Sequence, residues 1–85
     1  MHISPDLARR KLEDAEARLL ASGYVSEAFA EAVLDGVAVE AFAEAALCAA
    51  LRELVAVHGE CRTVRYAEAL VERVKAGEFS MLRRQ

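Results

Sequence analysis

The stretch VAVEAFAEAALCAALRELVAVH, residues 37–58, lies between Gly36 and Gly59 and carries Glu40, Glu44, Arg52 and Glu53 as its only full charges. Laid out at about 3.6 residues per turn, its apolar side chains cover most of the circumference, the pattern of a helix with neighbours on several sides. Its densest line is Val39, Ala43, Ala46, Ala50, Leu54 and Val57, rich in the alanine that lets helices approach closely; Phe42, Leu47 and Leu51 widen it. The sequence therefore predicts an all-α fold with this segment as its central helix.

Working outward, four glycines punctuate the chain. Gly23, Gly36, Gly59 and Gly77 each follow an apolar-periodic segment, the place where a left-handed residue closes a helix most cheaply. They predict a compact bundle of four helices, about 5–22, 27–35, 37–58 and 63–76, within a single helical domain, 1–85. The first helix starts strongly, with Ser4 as N-cap, Pro5 at the first helical position and Asp6 in the first turn. Its outer face offers Arg9–Glu13, Arg10–Asp14 and Asp14–Arg18 as pairs of opposite charge four residues apart. Ser26 is placed to cap the second helix, and the fourth begins near Thr63. A short tail, 78–85, follows Gly77.

Composition agrees with helices. Of 85 residues, 18 are Ala, 10 Leu and 9 Val, while Pro occurs once and Asn not at all. The net charge of −3 argues against binding nucleic acid or anionic membrane through overall charge. The opening, MHISPDLARRKLE, has no apolar core of a secretion signal, and no run approaches the roughly 18 apolar residues of a membrane span. Two cysteines are too few for a disulfide scaffold, so a cytoplasmic protein is expected.

The charge is unevenly placed. Residues 1–25 are neutral, residues 26–60 carry −6 and residues 61–85 carry +3, with no Lys or Arg between Arg18 and Arg52. Glu27, Glu31 and Asp35 recur every four residues, and Glu40 and Glu44 repeat the spacing. Like charges so placed repel by a few tenths of a kcal/mol per pair. Either Arg62, Arg65, Arg73 and the arginines at 83 and 84 fold back to offset them, or water solvates the row, or the row docks a basic partner. The third alternative is the functional expectation: a non-enzymatic binding module, an adaptor, chaperone-like factor or inhibitor. Its partner-binding residues are Glu27, Glu31, Asp35, Glu40, Glu44, Phe79, Met81 and Leu82. The last three read either as cover for the open flank of the central helix or as an anchor for a partner's groove. A homodimer is expected, because the central helix is apolar on too many sides for so short a bundle to cover.

Catalytic signals are weak. His58 sits where an imidazolium suits the C-terminal end of a helix, and no serine adjoins either histidine in sequence. His58 and Cys61 form an H-x-x-C pair, which is two ligands where a structural zinc needs four; neither a metal nor a cofactor is expected. Cys48 reads as a small buried hydrophobe. Cys61, beside Arg62 and Arg65 at a helix start, is the candidate for a reactive thiol and supplies one alternative function, a redox switch. The other is a DNA-binding regulator, with Gly59 to Arg62 as the turn of a helix-turn-helix and the basic fourth helix as reader. Glu68 and Glu72 on that helix, and the negative total, count against it.

Overall fold

The computed structural model describes residues 4–80, and these form three helices: α1 (Pro5–Leu34), α2 (Val39–His58) and α3 (Glu60–Lys75). The all-α expectation holds. The four-helix bundle does not, because residues 5–22 and 27–35 belong to one helix of 30 residues. Gly23 does not end α1: its φ is not positive, and a Cβ built there meets nothing within 4 Å. A glycine inside a helix costs about 1 kcal/mol relative to alanine, too little to break a segment whose flanks both favour helix. Ser26 accordingly caps nothing. Gly23→Ala is expected to stabilise the protein by about 0.5–1 kcal/mol, read as a rise in the denaturant midpoint; a fall would mean that Gly23 is a break after all.

The start of α1 follows the sequence. The Ser4 side chain accepts a hydrogen bond from the Leu7 amide at 3.1 Å, Pro5 opens the first turn, and Arg9 pairs with Asp6 at 2.8 Å rather than with Glu13. At the other end Gly36, φ +83, reverses the chain. The Val37 amide donates to the Ala32 carbonyl at 2.9 Å and the Gly36 amide to Val33 at 3.0 Å, the two bonds of a Schellman closure. α3 ends in the same way at Gly77, with Gly77 donating to Val74 and Glu78 to Arg73.

α3 begins three residues earlier than its expected start at Thr63. Gly59 alone joins it to α2, with φ +85 and ψ 170. Thr63 lies inside the first turn, where its hydroxyl donates to the Gly59 carbonyl at 2.8 Å, and it is buried. The acidic Glu60 suits the positive end of α3.

The chain divides within α2 into two units, Met1–Ala43 and Glu44–Gln85. In the first, Ala32 is buried and the rings of Phe29 and Phe42 meet edge to face, with centroids 4.7 Å apart and planes at 83°. In the second, Thr63 is buried and Ala46, Leu54, Ala67 and Leu70 are half-buried. Each unit is near the roughly 40-residue size below which a core of its own does not suffice. Large apolar side chains are open in both: Leu19, Leu20, Tyr24 and Leu34 in one, Leu47, Val57, Val64 and Val74 in the other. The densest line predicted for α2 is half-buried at Ala43, Ala46 and Leu54, while Val39 and Val57 are exposed.

Candidate partner-binding surfaces

Merging two expected helices into α1 puts Glu27, Glu31 and Asp35 on the last turns of one long helix, all exposed. Successive members are four residues apart, so they follow one face. Asp35 is the C-cap residue, and the last turn holds no basic side chain. Glu31 and Asp35 therefore stand at the end of α1 where the unpaired carbonyls already carry partial negative charge, an arrangement that disfavours anions by about 0.3–1 kcal/mol each, while Glu27 lies about two turns before that end. Among the described residues the salt bridges are Arg9–Asp6, Arg73–Glu78 and Lys75–Glu72, and none reaches this row. Tyr24, Glu27, Ala28, Ala30, Glu31 and Leu34 line one shallow depression. Tyr24 is 71% exposed and Leu34 84%, so the acids border open apolar surface.

The other expected site residues lie elsewhere. Glu40 stands in the first turn of α2, at the end where a carboxylate is favoured, and Glu44 lies one turn further on, in the second unit; both are exposed. Phe79 rests against α3, with the Arg73 guanidinium 5.1 Å from its ring centre and Arg73 Nε bonded to Glu78 at 2.8 Å. Phe79 thus packs on its own cation and is still half exposed. Met81 and Leu82 lie outside the described residues.

In the second unit, Leu54, His58, Arg62, Thr63, Arg65 and Tyr66 line a groove of about 460 Å³ where α2 turns into α3. The sequence grouped His58 with Cys61, and Arg62 and Arg65 with the same cysteine, and did not show this grouping. The one available signal was the five-residue frame His58–Arg62, which becomes a corner once Gly59 is the whole connection. A one-residue joint also replaces the longer turn expected of a helix-turn-helix, which uses three or four residues. Cys61 is free and exposed in the first turn of α3. Cys48 is exposed on α2, which corrects the expectation that it is buried. Among the described residues no three of His, Cys, Asp and Glu gather as a metal site, and no helix is long and apolar enough to cross a membrane. No family model matches the chain, and neither a curated protein nor a solved structure matches it.

Proposed function

We propose that this chain is a non-enzymatic protein-binding module, an adaptor or inhibitor that docks a basic partner on the C-terminal end of α1 and itself works as a homodimer in the cytoplasm. The observation that carries the reading is the Glu27, Glu31, Asp35 row: exposed, bonded to no cation among the described residues, set at the negative end of a helix, and bordered by Tyr24 and Leu34. A Lys- or Arg-rich segment that also carries an apolar anchor answers both halves of that surface. The charges raise the encounter rate and reject acidic competitors, and the apolar border supplies contact area. Two free thiols suit a reducing compartment.

Retention of proteins from a lysate of the source organism on the tagged chain tests this reading. A dominant basic protein is expected to be held at about 50 mM salt, released towards about 500 mM, and lost from the Glu27→Gln, Glu31→Gln, Asp35→Asn variant. The same proteins retained by both variants, or retention indifferent to salt, contradicts it.

A further inference from the structure

We infer that two copies of this chain pair antiparallel through one face of α2, about a two-fold axis at Leu51, with Glu44 of each copy against the partner's His58. This rests on the homodimer part of the reading above and supplies its surface and register. Glu44, Cys48, Leu51, Val55 and His58 follow one another at alternating steps of four and three residues, the spacing that keeps a straight stripe facing a partner helix. All five are exposed, as is Leu47 beside them. The half-buried residues of this part of α2, Ala46 and Leu54, lie off the stripe. Cys48, Leu51, Arg52 and Val55 line one shallow depression along it. The stripe is thus an apolar strip on an element whose packing within its own unit uses another side.

What singles out a second copy as the occupant is the pattern of residues about Leu51. Glu44 and His58 stand seven residues to either side, Leu47 and Val55 four, and Cys48 and Leu54 three, with Leu54 half-buried at the margin of the face. A two-fold axis at residue 51 brings each residue opposite the one equally far on the other side. Apolar Leu47 then meets Val55, Leu51 meets itself, and the acidic end meets the end bearing His58. Among the described residues neither Glu44 nor His58 has an ion-pair partner of its own. Reversing one copy sets the Glu44 carboxylate opposite an imidazole whose ring N–H can donate to it. A parallel pair would set Glu44 against Glu44. An interface of standard size takes about 800 Å² from each partner, roughly a tenth of the 7781 Å² this chain exposes.

Cross-linking reads the register directly. In a Cys48→Ser, Cys61→Ser background, Leu51→Cys is expected to give a covalent dimer with a short bis-maleimide. Val57→Cys, 71% exposed but about 120° around α2 from Leu51, is expected to stay monomeric. Glu44→Lys and His58→Glu should each weaken self-association roughly three- to tenfold, and the two together in one chain should recover most of it. Circular dichroism on each variant checks that the helices persist. Sedimentation showing only monomer, cross-linking at 57 without 51, or a double exchange that recovers nothing overturns the proposal. All these variants keep Glu27, Glu31 and Asp35, so partner retention by the acidic end of α1 is scored independently: its persistence in the neutralised row, with pairing at 51 intact, removes that reading and not this one.

Discussion

Gly59→Ala is expected to lower stability by about 1–3 kcal/mol, seen as a fall in the denaturant midpoint at unchanged slope. At φ +85 and ψ 170 the residue occupies a region of backbone space that is essentially reserved for glycine. The cost is conformational alone, because a Cβ at this position meets nothing within 4 Å. There is also no neighbouring loop to absorb the strain. Gly59 is the entire connection between α2 and α3; its amide donates to Val55 at 2.8 Å, and its carbonyl accepts from both the Thr63 amide at 3.2 Å and the Thr63 hydroxyl at 2.8 Å. A substitution that rotates residue 59 must disturb the last bond of one helix or the first of the next. A variant as stable as the parent would show that the joint is looser than drawn.

Phe42→Ala is expected to cost about 1–2 kcal/mol. Truncating a fully buried Phe costs about 3–5 kcal/mol, and the loss here is smaller because Phe42 and its edge-to-face partner Phe29 are each only half-buried. A double-mutant cycle with Phe29→Ala should return a coupling of about 0.5–1.5 kcal/mol. Additive losses would mean that the two rings do not stabilise each other. The contact matters because the first unit offers little else: among its described residues Ala32 is the buried one, and Leu19, Leu20, Tyr24, Val25 and Leu34 are all more than half exposed.

The glycines show how far the sequence could be read. Gly36, Gly59 and Gly77 do take positive φ and end helices, as their position after apolar-periodic segments implies. Gly23 sits after such a segment too, and Ser26 follows it as a plausible cap, yet α1 runs through both. The local signals are the same. What differs is the backbone: Gly59 takes φ +85 and Gly23 does not, although helix follows both. Propensity at one residue does not register that. The expected start near Thr63 came three residues late: Gly59 makes the turn, and the threonine hydroxyl bonds back to it from within the helix.

The acidic row was legible because spacing alone places Glu27, Glu31 and Asp35 on one helical face, whichever helix that is. Its position at the negative end of a long α1 was not, since it depended on Gly23 being passed over. The exposure of Cys48 was equally hidden. An apolar helix all round suggests burial on every side, whereas α2 is half-buried along Ala43, Ala46 and Leu54 and open along Leu47, Leu51 and Val55. Periodicity tells which residues share a face; it does not tell which face finds a neighbour in its own chain.

The central claim is that this chain holds its apolar helical faces for association, the first of them with its own copy. The thermal midpoint measured over a hundredfold range of protein concentration tests it most directly. If folding and pairing are linked, the midpoint rises with concentration by roughly 5–10 °C, and Leu51→Glu, which sets two carboxylates against each other on the axis, removes the rise. A midpoint that stays fixed across the range, with a sharp transition from a monomer, would show that a single copy is stable uncovered and would contradict the account.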